Sequence, residues 1–148
     1  MDLLLIAATP FEIAPTLEFL RQNFQVEEQG AFRRGKLAVH PLITGVGMVA
    51  TAWQLGLALG RNRPGLAVQA GIAGSLDNQW ALGDVVQVVS EQFGDLGVEE
   101  ADGRLTDLFE LGFLEADTSP FMQGKILNTA AAENQFLPPA TGLTVNKV

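Results

Sequence analysis

The sequence predicts an α/β domain on a mixed, largely parallel sheet. Three observations carry this expectation. Short apolar runs of strand length alternate with amphipathic stretches of helical spacing. The first run is followed at once by helix-start chemistry. Of the 148 residues, 47% are hydrophobic and only 18% charged, enough apolar side chain for the core of one compact domain. No repeat, low-complexity tract or linker divides the chain, so residues 1–148 are expected to form a single domain.

Leu3 to Ala8 is a short apolar run closed by a turn signal, the pattern of a strand buried on both faces of a parallel sheet. Thr9, Pro10 and Glu12 stand at the N-cap, first-turn and capping-box positions of a helix, in which Ile13, Leu17 and Leu20 recur at helical spacing to about Arg21. Phe24 to Val26, Ala31 to Arg34 and Lys36 to Ile43 read as strands, with Gly35 as the turn that makes the last two a hairpin. After Thr44 the segment GVGM opens a second helix. Its apolar stripe through Val49, Ala50, Trp53, Leu57 and Ala58 stops at Arg61, Asn62 and Pro64.

Leu66 to Ala70 is a further buried strand running into GIAGSL, and Gly83 with Asp84 turns the chain into the strand Val85 to Val89. From Phe93 to Gly124 no period is sustained, which predicts a long irregular segment with at most brief helix, of the kind that often covers a site. Thr129 to Asn134 reads as an Ala-rich helical turn ended by Pro138 and Pro139, and Gly142 to Val148 as a strand. A chain that stops on an apolar strand leaves one sheet face without its helix, so it is expected to be part of a longer domain.

A net charge of −8 with no basic run argues against nucleic acid as a partner, because duplex binding rests on clustered Lys and Arg. Cysteine is absent and His40 is the single histidine, which excludes disulfides, thiolate metal sites and histidine clusters. The composition therefore predicts a cytoplasmic, metal-free protein. Asp2 replaces the positive flank of a signal peptide, and no run approaches the roughly 20 apolar residues of a membrane helix, so no membrane association is expected.

Ligands of open α/β sheets bind outside the carboxyl ends of the strands, which singles out AATPFE, TGVG and QAGIAGS. Neither glycine segment matches the dinucleotide fingerprint or the phosphate loop. Glu12 has two readings: it closes a capping box on Thr9, or it is a general acid/base at the mouth of the sheet, where partial desolvation suits a carboxylate to activating water. The pairs Gly45 with Gly47 and Gly71 with Gly74 are read either as turns through positive φ or as bare backbone that a ligand approaches closely. Asp84 is expected in a turn, and Asp95, Glu99, Glu100 and Asp102 on a solvated acidic surface. Trp53 is expected in the core or at a dimer contact, and His40 within a strand.

The segments AATPFEI, ITGVGMVATA, AVQAGIAGSL, LGDVV and GLTVN, in that order, resemble the nucleoside phosphorylase and nucleosidase superfamily. ATPFE, GIAGS and SEQFGDLGVEEADG resemble its futalosine hydrolase branch, a relative of the methylthioadenosine/S-adenosylhomocysteine nucleosidases. The similarity spans nearly the whole chain. It implies a three-layer nucleoside phosphorylase-like fold with a mixed, largely parallel central sheet, and a homodimer. It also implies cleavage of the N-ribosidic bond of a purine nucleoside by water through an oxocarbenium-like sugar, in menaquinone biosynthesis, with no metal or cofactor.

By the same resemblance Glu12 falls on the water-activating glutamate. The backbone around Ile72, Ala73 and Gly74 falls beside the base and ribose, and Val46 and Thr9 fall near the ribose and the 5′ side. Ile72 stands where the methylthioadenosine enzymes carry serine, which favours the futalosine branch. A methylthioadenosine/S-adenosylhomocysteine nucleosidase and a non-catalytic nucleoside-binding or dimer-forming module remain the alternatives. The phosphorylases place an Arg in the loop that here runs from Thr9 to Glu12, and holding a phosphate nucleophile takes such a donor. AATPFEI and GIAGSL contain no Arg, so water is the expected nucleophile. The family's ribose-holding Met–Glu pair, its base-protonating aspartate and part of its base clamp follow the strand that ends here at Val148. The chain is thus expected to be the N-terminal two-thirds of the family domain, incomplete at the C-terminus and inactive alone.

Overall fold

Leu4, Leu5, Ile6 and Ala7 are all buried in the first strand, β1 (Asp2–Ala7), as a strand covered on both faces requires. The computed structural model describes residues 1–76, 78–133 and 136–147. They form two compact units, Met1–Ser75 and Leu76–Val148.

In the first unit β1 is followed by α1 (Ala14–Asn23), β2 (Gln25–Val26), β3 (Phe32–Arg34), β4 (Leu37–Ile43), α2 (Met48–Arg61) and β5 (Leu66–Gln69). The strands form one sheet in the order β2-β3-β4-β1-β5. β1 lies parallel to both β4 and β5, with Leu5 beside Pro41 on one side and Val68 on the other. β3 and β4 form the expected hairpin, Arg34 pairing with Leu37 across Gly35, whose φ of +59° the tight turn demands. Leu5, Ala7, Ile13, Leu20, Phe32 and Val39 make the core cluster, and α1 packs on it through Leu20 and the half-buried Leu17. His40 lies within β4 as expected, half-buried. At the β2–β3 edge the Arg33 guanidinium donates to Glu27, a bond that raises the already high pKa of Arg33.

Two expectations are corrected here. Thr9 does not cap a helix: α1 begins only at Ala14, with Ile13 at its N-cap and no side-chain cap bond. The reason is Pro15. In a helix capped by Thr9 it would stand in the interior with no N–H for the Phe11 carbonyl, whereas the first turn tolerates it. The Phe11 carbonyl instead accepts the Ala14 N–H at 3.3 Å. The second correction concerns burial. Leu66 and Val68 are each 39% exposed because β5 is the edge of its sheet, and no residue of α2 is buried. Trp53, 67% exposed, is not a core residue.

The second unit contains β6 (Gln87–Phe93), β7 (Gly97–Glu99), β8 (Leu105–Asp107), β9 (Phe121–Met122), β10 (Lys125–Leu127), α3 (Thr129–Glu133) and β11 (Pro139–Thr144). Four strands form a sheet in the order β11-β6-β10-β9, in which only β11 and β6 are parallel, and β7 and β8 pair separately. The strand expected at Val85 starts at Gln87 and runs to Phe93, and the last strand ends at Thr144. Asn134 and Val148, which the expected helical turn and last strand included, lie outside the described residues. The segment expected to be irregular carries β7, β8 and β9. Strands of two or three residues are too short to display a period. Gly97 makes the β7–β8 pairing possible, since a Cβ there would stand 2.2 Å from the Thr106 carbonyl oxygen. Asp84 sits in the expected turn and accepts the Ala81 N–H at 2.8 Å.

Candidate functional site

β4, β1 and β5 run parallel and end side by side, so the segments that follow them share one edge of the first sheet. Backbone bonds carry the ladder past the strand ends. Thr44 N–H donates to the Ala7 carbonyl at 3.0 Å, Gly45 N–H to Ala8 at 3.0 Å, and Ala70 N–H to Ile6 at 2.8 Å. Each loop thus leaves the sheet from a fixed point.

The loop after β1 carries Glu12. Its neighbour Ile13 is 2% exposed and pins the turn to the core, while Phe11 on the other side is 80% exposed. Glu12 Oε2 accepts the Thr9 N–H at 2.7 Å and the Thr9 hydroxyl at 3.3 Å. The contact of the expected capping box is therefore made, without the helix. Glu12 Oε1 faces the loop after β5, where a Cβ on Gly71 would stand 3.4 Å from it. Gly71 and Gly74 do not adopt positive φ, contrary to their reading as left-handed turn residues; at Gly71 a Cβ would make only ordinary contact with the carboxylate. Among the described residues Oε1 accepts no hydrogen bond, so the side chain is anchored by one oxygen and has the other free to take a proton.

The loop after β4 is a true glycine turn. Gly45 has φ +84°, and Gly47 has φ +98° with ψ 156°, a region essentially reserved for glycine. Thr44, 5% exposed, holds this loop through its hydroxyl, which lies 3.0 Å from the Gly45 carbonyl oxygen and 3.1 Å from the Thr51 hydroxyl on α2. Sequence reasoning missed Thr44 and Thr51. The available signal was a hydroxyl residue closing the apolar run LAVHPLI just before the glycines. Thr44→Val is expected to cost about 1 kcal/mol of stability, the usual net worth of such bonds, and Thr44→Ser to cost less. Urea unfolding midpoints check this.

Glu12, Thr9 and Gly71 are thus brought together. Val46 stands on the adjacent β4 loop, 78% exposed, and Ile72, 75% exposed, follows Gly71 with the exposed Ala73 and Gly74. Among the described residues no group of three or more acidic or histidine side chains is placed to hold a metal ion, and no helix is long and apolar enough to cross a membrane.

The chain has a nucleoside phosphorylase-like α/β fold, with parallel strands, glycine-rich loops and one anchored carboxylate at their carboxyl edge in its first unit and mixed strand pairing in its second. The phosphorylase superfamily profile matches residues 2–145, and the chain belongs to that superfamily. Among curated proteins none matches the sequence. Solved structures do resemble it. One is the S-adenosylhomocysteine nucleosidase of Streptococcus pyogenes in complex with 5-methylthiotubericidin, 18% identical with a TM-score of 0.62 over 98% of this chain and 62% of that one. Another is the Streptococcus pneumoniae MTA/SAH nucleosidase with 8-aminoadenine, 19% identical with a TM-score of 0.66 over 98% and 63%. A third is the Colwellia psychrerythraea 34H MTA/SAH nucleosidase with adenine, 23% identical with a TM-score of 0.62 over 98% and 61%. At these identities the fold is what is shared, and this chain spans less than two thirds of the length of each.

Proposed function

We propose that the chain carries the water-activating part of a purine nucleoside hydrolase, with Glu12 as general base. The observation that carries this reading is the Glu12 carboxylate, held by Thr9 through one oxygen and directed by the other toward the glycine loop at the carboxyl edge of β4, β1 and β5. In the reaction Glu12 takes a proton from water as the water oxygen bonds to C1′ of the ribosyl group. The C1′–N bond to the purine breaks through an oxocarbenium-like sugar, and the departing base takes one proton from solvent in place of the one that Glu12 accepts, so that one water is consumed overall. Thr9 orients the carboxylate, Val46 lies toward the ribose and 5′ side, and Ile72, Ala73 and Gly74 border the base and ribose.

Water is favoured over phosphate because neither AATPFEI nor GIAGSL offers an Arg. Ile72 places an alkyl group where the resemblance puts serine in the methylthioadenosine enzymes, which supports a futalosine-type nucleoside and a place in menaquinone synthesis. Hydrolysis of methylthioadenosine or S-adenosylhomocysteine is the second reading, favoured by the structures that share the fold. The same family reading makes the protein a homodimer, to which the exposed α2 stripe of Val49, Trp53 and Leu57 is suited.

The test is purine release by the intact protein from futalosine and from methylthioadenosine, with chelator present and phosphate absent. Base release under these conditions is the expected result, and the faster substrate chooses between the two readings. A strict requirement for phosphate would make the protein a phosphorylase and overturn the hydrolase assignment; a strict requirement for a divalent metal would overturn it equally.

A further inference from the structure

Charge is divided unevenly along the chain. Met1–Ser75 holds six Lys and Arg and five Asp and Glu, a net of +1, whereas Leu76–Val148 holds three and twelve, a net of −9. The six basic residues of the first unit share one region. Arg21 is in the last turn of α1, Arg33, Arg34 and Lys36 surround the β3–β4 turn, Arg61 is in the last turn of α2, and Arg63 precedes β5. These segments all reach the amino edge of the first sheet, opposite the edge that carries the Glu12 loop.

At this amino edge an open cleft of about 430 Å³ lies between the end of α1 and the β3–β4 turn, lined by Gln22, Asn23, Phe24, Gln25, Arg33 and Arg34. Its two guanidinium groups are held differently. Arg33 donates through Nε to Glu27, which leaves its terminal N–H groups over. Arg34 lies over the Phe24 ring, 5.9 Å from its centre, a contact that steadies the cation without using any N–H donor. Among the described residues Arg34 makes no hydrogen bond and no ion pair, and the exposed Lys36 ammonium pairs with no acid. The end of α1 is already served by other donors: the Leu20 carbonyl accepts the Phe24 N–H at 2.9 Å and the Phe19 carbonyl the Asn23 amide at 2.8 Å. Glu18, one turn back, is engaged by Gln22 and Arg21.

We infer that this cleft binds a phosphate group, as the free anion or as the ester of a small molecule. Two guanidinium forks and the Gln25 amide offer more donors than the two oxygens of a planar carboxylate can use, whereas a tetrahedral phosphate presents oxygens in several directions. The positive charge left on Arg34 and Lys36 supplies the attraction that the acidic chain as a whole lacks. The cleft and the Glu12 turn lie at opposite ends of β1, whose six residues span about 20 Å, so an occupant here does not compete with a nucleoside at Glu12.

The test titrates the intact protein with inorganic phosphate, glycerol 3-phosphate and malonate in about 0.15 M chloride, followed by backbone amide NMR shifts. Both phosphate probes are expected to give saturable shifts at residues 22–25 and 33–36 and none at residues 9–12, and malonate to bind about tenfold or more weakly. The tighter phosphate probe tells an ester site from a free-anion site. Arg34→Gln is expected to weaken phosphate about tenfold or more, and Arg34→Lys, which keeps the charge but loses the fork, about threefold. Because Arg34 is exposed, both variants are expected to fold as the wild type does, which circular dichroism checks. Absence of saturable shifts at residues 22–25 and 33–36, shifts confined to residues 9–12, or unchanged affinity in folded Arg34→Gln each overturns the site. Malonate binding as tightly as phosphate overturns the phosphate assignment.

Discussion

Glu12→Gln is expected to slow base release by about 10²-fold or more, the scale of general acid–base contributions, while leaving nucleoside affinity and fold nearly unchanged. Gln is isosteric with Glu, and its carbonyl oxygen can still accept the Thr9 N–H that Oε2 accepts at 2.7 Å. The turn therefore keeps its anchor. What is lost is the proton acceptor facing Gly71, because an amide NH₂ takes no proton from water. Steady-state kinetics beside circular dichroism separate the two roles of this residue. Turnover within about threefold of the wild type, far short of the general-base effect, would reduce Glu12 to a residue that only shapes the turn. Glu12→Ala makes the complementary comparison: it removes the acceptor and the Thr9 contacts together, so any loss of stability beyond that of Gln measures the structural share.

Ile13→Ala is expected to destabilise the first unit by about 2–5 kcal/mol, the range for deleting a large aliphatic side chain from a core. Ile13 is 2% exposed and packs in the cluster with Leu5, Leu20, Phe32 and Val39. Its truncation removes apolar contact and leaves a cavity beneath the turn that carries Glu12. Against a typical domain stability of about 5–15 kcal/mol this is a large fraction. Phe11→Ala, only two positions away, is expected to change stability by no more than about 0.5 kcal/mol, since the ring is 80% exposed. Urea denaturation of the two variants checks the contrast. A loss below about 1 kcal/mol for Ile13→Ala would mean that the Glu12 turn is not anchored through the core.

What could be read along the chain was set by short-range chemistry. The apolar run of β1, the Gly35 turn between β3 and β4, and the helix between GVGM and Pro64 each follow from residues within a turn or two of one another. The same locality misled at α1. Thr9, Pro10 and Glu12 satisfy a helix-start pattern by themselves, and only the added constraint of Pro15 moves the start to Ala14. The segment after Phe93 was illegible for a different reason. Strands of two or three residues show no period, and they pair because Gly97 lets the Thr106 backbone come close.

The candidate site divides along the same line. Glu12 was legible because it follows a strand of a parallel sheet, and Gly45 and Gly47 because glycine suits a turn at positive φ. The approach of the Glu12 carboxylate to Gly71 was not, since it joins positions 59 residues apart in the chain. Asp95 likewise read as surface charge, because its donors, Asn146 and Lys147, lie about fifty residues away and meet it only through the parallel pairing of β6 with β11. By itself the sequence determined strand and helix character, the turn chemistry and which loops stand at carboxyl ends. These depend on backbone preference and on hydrophobic period over a few residues. Tertiary structure alone decided which apolar faces stay exposed, which glycines are needed for space, and which acidic side chains are engaged, because burial and hydrogen-bond partnership are properties of distant segments brought together.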